Sequence, residues 1–313
     1  MNSRIVVLGS LNADFVINVD RFPVAGETLL GRDFKIFPGG KGANQAYAAA
    51  KLGGQVSMIG QVGNDAHAEW LKQNLASAGV DVTHVDRDPE VSSGIATITI
   101  NAHGQNQIIV VPGANGTLSV PRLDRSRDLL ASARLVLLQL EIPLDTVATA
   151  ARMAKDAGAI VILDPAPAQR LPDSLLACTD YLTPNETELA ILTGRQPGAL
   201  TKECASQLAE ELRSRGARNG IAKMGAQGAL LIGEQVEHFW PALCVQAVDS
   251  TAAGDAFNAA FAVALAEAKP VLDAGRFATV AAACSVTRAG AQPSMPTRSE
   301  VTVAERTCQG QPS

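Results

Sequence analysis

The sequence contains few of the residues from which disulfide frameworks and zinc sites are built. It has five cysteines and four histidines among 313 residues. The cysteines lie far apart at positions 178, 204, 244, 284 and 308, and the histidines at positions 67, 84, 103 and 238. Because no C-x-x-C or H-x-x-x-H pair occurs, the spacing indicates neither a disulfide scaffold nor a zinc site.

An excess of basic charge and a long apolar run are also missing. Lys and Arg number 26 against 31 Asp and Glu, which gives a net charge of −5. Such a chain has no positive field to attract nucleic acid or an anionic membrane surface, so we expect a small-molecule partner. Apolar stretches such as those at 135–140 and 160–163 fall far short of the roughly 20 residues of a membrane-spanning helix. With no signal-peptide pattern at the N-terminus, we expect a cytoplasmic protein.

Strand-like and helix-like segments alternate along most of the chain. Runs rich in β-branched residues predict strands at 5–8, 56–59, 135–140, 160–163, 181–183, 220–223 and 229–232. Apolar residues at helical spacing predict amphipathic helices at 71–78, 144–154 and 205–212. Alternation of this kind requires crossover connections, so we expect an α/β fold with an open, mainly parallel sheet flanked by helices in three layers.

Two segments interrupt the alternation with strand patterns that no helix separates. They lie at about 12–37 and 94–111, and the second has a turn between residues 101 and 106. They predict a small antiparallel sheet outside the main one. We therefore expect a single α/β domain over residues 1–296, followed by a polar and frayed C-terminal tail at 297–313.

A loop of small residues leads into an alanine-rich helix near position 255. It reads Asp-Ser-Thr-Ala-Ala-Gly-Asp at 249–255. The free N–H groups at the start of such a helix suit a phosphoryl group or its transition state. Asp255 has two interpretations, because an Asp in the first turn of a helix is more often a cap than a catalyst. This segment alone favours the cap.

A second small-residue loop, Gly-Gly-Lys-Gly-Ala-Asn-Gln-Ala at 39–46, also joins a strand to a helix. Its glycines allow the backbone to approach a ligand closely, and Lys41 and Asn44 offer polar groups about one turn apart. The alternative is a tight turn with a solvated lysine. A Walker P-loop is excluded, because Gly42 stands where that motif needs a hydroxyl group, and the G-x-G-x-x-G fingerprint fails as well.

Together the two loops, in this order, resemble the two signatures of the ribokinase-like sugar kinase family, also called the phosphofructokinase B family. Further segments match the same family at 12–14, 139–141, 164–168, 183–188 and 290–294. The matches run from the first strand to about residue 296. The resemblance implies an ATP-dependent kinase that phosphorylates the primary hydroxyl of a pentose such as D-ribose, with Asp255 as the catalytic base and the N–H groups of Ala252, Ala253 and Gly254 facing the developing charge.

The resemblance also carries ligand positions over to this chain, residue by residue. Sugar contacts fall on Asn12, Asp14, Gly40, Lys41, Asn44 and Glu141, together with Asp255. Contacts to ATP fall on Asn185, Lys223, Gly225, Gly228, Gly254 and Thr279. Glu188 is linked to Mg²⁺, and a site for a monovalent cation, K⁺ in this interpretation, falls on Asp249, Thr251, Ser285, Arg288, Gly290 and Ser294. For Asn185 and Glu188 a helix N-terminal capping pair is an alternative that is compatible with this role.

The family pattern further implies that the small sheet is a lid over the sugar and forms a homodimer interface.

The chain departs from the pattern at Asp164, where Asn can stand, at Lys223, where Thr can stand, and at Ala256 and Ala259. These departures leave the sugar preference and the nucleotide affinity open. The alternatives are a kinase of the same family for 2-deoxyribose, another sugar or a nucleoside, and more remotely a non-catalytic sugar-binding protein of the same fold.

Overall fold

The computed structural model describes residues 3–309, and its strands fall into two sheets. In chain order the strands are β1 (Arg4–Leu8), β2 (Asn12–Asn18), β3 (Asp33–Gly39), β4 (Gln55–Val62), β5 (Asp81–Arg87), β6 (Gly94–Ile100), β7 (Asn106–Val111), β8 (Leu135–Leu138), β9 (Ile160–Leu163), β10 (Tyr181–Leu182), β11 (Asn219–Lys223), β12 (Gly228–Ile232) and β13 (Glu237–Pro241). Within the described residues the main sheet has nine strands in the order β13-β12-β11-β10-β9-β8-β1-β4-β5. Neighbouring strands from β11 to β5 pair in parallel, whereas the β11–β12 and β12–β13 pairs at the other edge are antiparallel.

Helices cover both faces of the main sheet. They are α1 (Lys41–Lys51), α2 (His67–Ser77), α3 (Val120–Leu123), α4 (Arg127–Ala131), α5 (Leu144–Asp156), α6 (Asp173–Leu176), α7 (Glu186–Leu192), α8 (Lys202–Ser214), α9 (Ala253–Ala266), α10 (Val271–Ser285) and α11 (Arg298–Gln309). Alternate residues of β1 enter two separate cores, one containing Ile5 and Val7 and the other Val6 and Leu8. This alternation follows from the two-residue period of a strand, and it confirms the predicted three-layer α/β fold.

The small sheet has the strand order β3-β2-β6-β7. It consists of two antiparallel pairs, β2 with β3 and β6 with β7, and β2 joins them by pairing in parallel with β6. In this register Asn12 lies between Gly39 and Gly94. The sheet therefore places the beginning of β2 beside the loop that enters α1.

Two strands were not predicted from the sequence, and both lie at edges of the main sheet. Strand β5 reads Asp-Val-Thr-His-Val-Asp-Arg, with only Val85 buried, and β13 has only Trp240 buried. Edge strands face solvent over much of their surface, so their sequences lack the continuous apolar run of a central parallel strand.

The prediction of a frayed tail is wrong for residues 298–309, which form helix α11. Val301 is fully buried, and Arg298 donates to the carbonyl of Leu52 and to Glu267. Thr297 and Glu300 exchange hydrogen bonds at the start of the helix, and this Thr-x-x-Glu spacing was a signal in the sequence. Residues 310–313 of the predicted tail lie outside the described residues. In the part of the chain that the structure describes, every helix is too short or too polar to cross a bilayer.

We predict that Val301→Ala lowers the free energy of unfolding by about 1–2 kcal/mol, because it removes buried methyl groups and leaves a cavity under α11. Val303→Ala on the same helix is the matched control, since Val303 is 62% exposed and its truncation should change the value by no more than about 0.5 kcal/mol. Urea unfolding of both variants measures the difference. Equal values would contradict the anchoring of α11 by Val301.

Candidate active site

Helix α9 begins beside the start of α1 and brings Asp255 into the protein interior. Its N-cap is Ala252, which has the left-handed backbone angle φ 59°, a conformation that costs a non-glycine residue free energy and is concentrated at functional sites. The carboxylate of Asp255 accepts from Asn44 Nδ2 at 3.0 Å and from Gln45 Nε2 at 2.9 Å. These bonds tie Asp255 to α1, so the structure does not favour the interpretation of Asp255 as a simple cap.

Gln45 connects Asp255 to a second buried carboxylate. Its Nε2 also donates to Asp164 Oδ2 at 3.0 Å, and its Oε1 accepts from Gln139 Nε2 at 2.7 Å. The bond from Gln139 fixes the orientation of the Gln45 amide, so that the NH₂ group faces the two acids. Burial raises the pKa of Asp255 to about 6, with Lys41 opposing and Asp164 adding to the shift. A carboxylate with this pKa is suited to accept a proton near neutral pH.

A cluster of polar side chains, the polar pocket, lies where β2 meets the loop before α1. Asn12 Oδ1 accepts from Asn115 Nδ2 at 2.7 Å, whereas the buried Oδ1 of Asp14 has no hydrogen-bond partner among the described residues. A Cβ atom on Gly39 would lie 2.0 Å from Asp14 Oδ2, and Gly40 has φ 87° with its backbone against Asn12. The glycines predicted from the motif are therefore required for the close packing of this loop against Asn12 and Asp14 on β2.

The other predicted sugar-contact residues lie around the same pocket. Glu141 Oε2 accepts from Ser10 Oγ at 2.5 Å and from the backbone N–H of Lys41 at 3.0 Å. Asn44 accepts from Gln292 Nε2 at 3.2 Å through its Oδ1 while its Nδ2 holds Asp255. The structure thus brings Asn12, Asp14, Gly40, Lys41, Asn44, Glu141 and Asp255 together.

Four acidic groups act on the Lys41 ammonium group from around this pocket. Burial alone would lower the pKa of Lys41, but the charges of Asp255, Asp164, Glu141 and Glu188 raise it above its ordinary value. Lys41 is therefore a cation at neutral pH, held among carboxylates.

A mostly apolar cavity of about 510 Å³ lies on the other side of the α9 N-terminus. Five of the six predicted nucleotide residues line it, namely Lys223, Gly225, Gly228, Gly254 and Thr279, whereas Asn185 is not among the lining residues. Gly228 has φ 126°, and a Cβ atom there would lie 2.0 Å from the carbonyl oxygen of Trp240, so only glycine fits. The size and lining suit a flat heterocycle and its ribose.

Asn185 and Glu188 form a complete capping box at the start of α7. Asn185 Oδ1 accepts from the Glu188 N–H at 2.8 Å, and Glu188 Oε2 accepts from the Asn185 N–H at 2.8 Å. The alternative role of this motif, as a capping pair at a helix N-terminus, is therefore present in the structure. Burial raises the pKa of Glu188, with Lys223 opposing and Asp164 adding to the shift.

Only some of the residues predicted to bind a monovalent cation lie close together. Asp249 accepts from the N–H groups of Thr251 and Gly290, and the N–H of Asp249 donates to Val286, next to Ser285. The side chain of Arg288 instead forms an ion pair with Glu300 on α11, with 3.1 Å between Nη1 and Oε1. Ser294 lies in the following 3₁₀ turn and donates to the carbonyl of Ala291.

Several residues of the site were not assigned a role from the sequence. They are Ser10, Gln45, Gln139 and Gln292, together with Asp164, which was noted only as a departure from the family pattern. Gln45 and Gln139 lie inside segments that match the family pattern, so the sequence did contain a signal for these two residues. Their partners are 94 to 210 positions away in the chain, and spacing along the sequence could not reveal the pairs.

The geometry places the polar pocket and the apolar cavity on either side of the α9 N-terminus, where Gly254 lines the cavity and Asp255 faces Asn44 and Gln45. Comparison with known proteins agrees with it. The profile of the pfkB family carbohydrate kinases matches residues 2–298. The chain belongs to the pfkB family of carbohydrate kinases, and it is an enzyme of the class that transfers a phosphoryl group to an alcohol.

Individual relatives are similar over nearly their whole length. The ribokinase of Haemophilus influenzae is 42% identical, covering 96% of this chain and 97% of its own. The deoxyribokinase of Salmonella typhi is 43% identical, covering 93% and 95%. Among solved structures, the Arabidopsis thaliana ribokinase complexed with ribose and ATP has a TM-score of 0.90 at 37% identity, covering 97% of this chain and 99% of its own.

We predict that Asp14 makes the stability of the ligand-free protein depend on pH. Burial raises the pKa of Asp14 to about 7 from 3.8, and Glu141 and Asp255 add to the shift. The folded state then binds a proton more tightly than the unfolded chain, so stability falls as the pH rises from about 4 to about 7. At about 1.4 kcal/mol for each pKa unit, this shift corresponds to a loss of about 4 kcal/mol in the free energy of unfolding, which Asp14→Asn should remove.

Unfolding in urea at a series of pH values measures this loss. The matched control is Asp33→Asn on the neighbouring strand β3, because Asp33 has a half-exposed carboxylate. If Asp14→Asn and Asp33→Asn show the same pH dependence as the unaltered protein, the raised pKa of Asp14 is refuted.

Proposed function

We propose that the protein transfers the γ-phosphoryl group of ATP to the 5-hydroxyl of D-ribose. The observation that carries the proposal is the position of Asp255, a buried carboxylate with a raised pKa at the junction of a polar pocket and a nucleotide-sized cavity. The similarity to ribokinases, including one solved with ribose and ATP, supports the sugar and the donor.

In this proposal Asp255 is the general base. Above about pH 6 its carboxylate is ionised and takes the proton of the sugar hydroxyl as that oxygen forms a bond to the γ-phosphorus. The bond from phosphorus to the β,γ-bridging oxygen breaks, and ADP leaves with the electron pair. The N–H groups at residues 252–254 face the charge that develops on the phosphoryl oxygens. The N–H of Ala253 lies at 3.2 Å from Ser250 O, so that contact opens or is shared when a phosphoryl group is present.

The polar pocket orients the sugar. Asp14, whose Oδ1 has no partner in the described chain, and Asn12 on the same strand accept and donate hydrogen bonds to sugar hydroxyls. Glu141 is held by the N–H of Lys41 and supplies a further acceptor. Orientation of this kind converts a bimolecular encounter into a near-unimolecular step, which is where most of the rate of phosphoryl transfer originates.

Metal ions are part of the same proposal. The described residues contain no group of three or more His, Cys, Asp or Glu side chains that could hold a metal. A single carboxylate is nevertheless enough for Mg²⁺, which keeps most of its waters and binds nucleotide phosphates. The buried Glu188 fits that requirement, and the Mg²⁺ would supply charge neutralisation. We assign K⁺ to backbone carbonyls where residues 248–251 lie against residues 286–290.

A second pentose is also a candidate substrate. The deoxyribokinase of Salmonella typhi is about as similar to this chain as the ribokinase of Haemophilus influenzae, at 43% against 42% identity. 2-Deoxyribose is therefore the second candidate. A non-catalytic sugar-binding role is disfavoured, since Asp255 and the small residues 252–254 are all present. Use of ATP as the donor also supports the expected cytoplasmic location.

We predict that Asp255→Asn lowers kcat with ribose by a factor of roughly 10² to 10⁴, because it removes the general base. The measurement is ADP release with ATP and Mg²⁺, with and without K⁺, for D-ribose, 2-deoxyribose, hexoses and nucleosides. Asp273→Asn, an exposed acid in the first turn of α10, is the matched control and should retain full activity. Turnover by Asp255→Asn equal to that of the control would reject Asp255 as the base.

We propose that the small sheet is a lid over the sugar and that it forms a homodimer. Its outer strands β3 and β7 expose large apolar side chains, and this exposure is the support, because an exposed apolar edge strand tends to pair with another chain. The exposed side chains are Phe34, Ile36, Ile108, Ile109, Val110 and Val111.

The dimer predicts that Ile109→Glu shifts the protein to a monomer, because Ile109 is 69% exposed on the edge strand and the new charge would be buried on association. Sedimentation velocity measures the oligomeric state. Val303→Glu on α11, at a site 62% exposed, is the matched control and should leave the dimer unchanged. An unaltered protein that sediments as a monomer would contradict the dimer itself.

A further inference from the structure

Lys223 and Asp164 form an ion pair in the interior of the site. Lys223 is the last residue of β11, and Asp164 follows the end of β9. The distance from Lys223 Nζ to Asp164 Oδ1 is 2.9 Å, and the two side chains are only 13% and 2% exposed. These are two of the four positions at which the chain departs from its family pattern. The structure places the two departures in direct contact, so each supplies the countercharge that the other needs.

Backbone hydrogen bonds fix the position of Lys223 and therefore the point from which its side chain extends. The N–H of Lys223 donates to the carbonyl of Pro184 at 2.8 Å, and Lys223 pairs with Asn185 as an isolated parallel bridge. The next residue, Met224, donates to Gly228 O at 2.8 Å and closes the loop that lines the apolar cavity. Lys223 therefore lies between the start of α7 and the nucleotide cavity.

The side chain of Lys223 crosses to the N-terminus of α9. A Cβ atom on Gly254 would lie 3.2 Å from Lys223 Nζ, so the ammonium group lies against the backbone that precedes Asp255. On its other side Asp164 accepts from Gln45, whose amide also holds Asp255. A positive charge thus stands at the junction between the cavity and the general base, where the terminal phosphate of a nucleotide must pass.

A contribution to the stability of the fold does not explain the Lys223–Asp164 ion pair well. Removing two charges from water costs about as much as their attraction returns, so a buried ion pair adds little net stability. A lysine ammonium group has three N–H donors, and Asp164 Oδ1 takes one of them. The remaining donors can bind phosphoryl oxygens while Asp164 still holds the side chain in place.

Resting on the proposed function, we propose that Lys223 is a catalytic residue that donates hydrogen bonds to the transferred phosphoryl group, and that Asp164 is the residue that positions it. Negative charge collects on the non-bridging oxygens while the sugar oxygen binds phosphorus and the bond to ADP breaks. Lys223 stabilises that charge. Through Gln45 the same Asp164 is connected to Asp255, so the base and the cation are aligned by one buried network.

The test uses Lys223→Met, Asp164→Asn and the double variant in the full-length protein. Each single variant leaves a buried charge without its partner and should lower the thermal midpoint, and the double variant removes both charges and should restore it. We expect kcat to fall by roughly 10²- to 10³-fold in Lys223→Met and to stay low in the double variant, with KM for ribose within a few-fold. A purely structural pair would instead recover kcat together with the thermal midpoint.

A binding measurement separates this inference from the proposed function. Calorimetry should show that Lys223→Met weakens binding of the non-hydrolysable analogue AMP-PNP by about tenfold or more, and leaves ADP binding unchanged, because the contact is to the terminal phosphate. Lys155→Met, which breaks the distant ion pair with Asp180, is the matched control and should alter neither. Equal loss of AMP-PNP and ADP affinity, or no loss, overturns the role of Lys223. If the unaltered protein phosphorylates no sugar, the proposed function fails and the AMP-PNP comparison still decides whether Lys223 contacts the terminal phosphate.

Discussion

The burial of the Asp255 carboxylate is the constraint on which the site depends. An ionised carboxyl group inside a protein is unstable unless donors replace the water that it loses. Asn44 and Gln45 supply those donors from α1, and this requires α1 and α9 to meet at their N-terminal ends. The small residues of α9, buried almost throughout, allow that close approach. The pKa of Asp255, about 6, reflects a balance in which desolvation is only partly offset.

The parallel sheet explains why so many polar groups converge on this point. Asp164, Asn185 and Lys223 all lie at or just beyond the carboxyl ends of adjacent strands, and Gln139 and Glu141 follow β8 in the same way. Strand ends are where an open α/β sheet leaves backbone and side chains free to bind ligands. The family's chemistry is therefore built from residues that are distant in sequence but are brought to one edge by the strand order.

Much of this could be predicted from the sequence, and the reasons are physical. Central strands such as β8 and β9 are continuous apolar runs, and the glycines at 39–42 have little use except in a close backbone approach. These local patterns predicted the fold and identified the loops at 39–46 and 249–255 as candidate parts of the site. Edge strand β5 and helix α11 were missed, since their stability comes from contacts such as that of Val301 with the core rather than from a strong local pattern. The links among Gln45, Asp164 and Lys223 were missed for a related reason, because side-chain pairing across the fold leaves no spacing to recognise.

Strand β2 belongs to the small sheet, yet it carries Asn12 and Asp14, whereas Asp255 and the nucleotide cavity belong to the main sheet. In the proposed function, the small sheet thus supplies two of the sugar contacts, and the main sheet with its helices supplies the others together with the base. On that proposal, substitutions in β2 can change which hydroxyl pattern is accepted while α9 and the cavity remain as they are. A fold divided in this way can adjust its sugar preference from a small sheet without rebuilding the helix that carries the base.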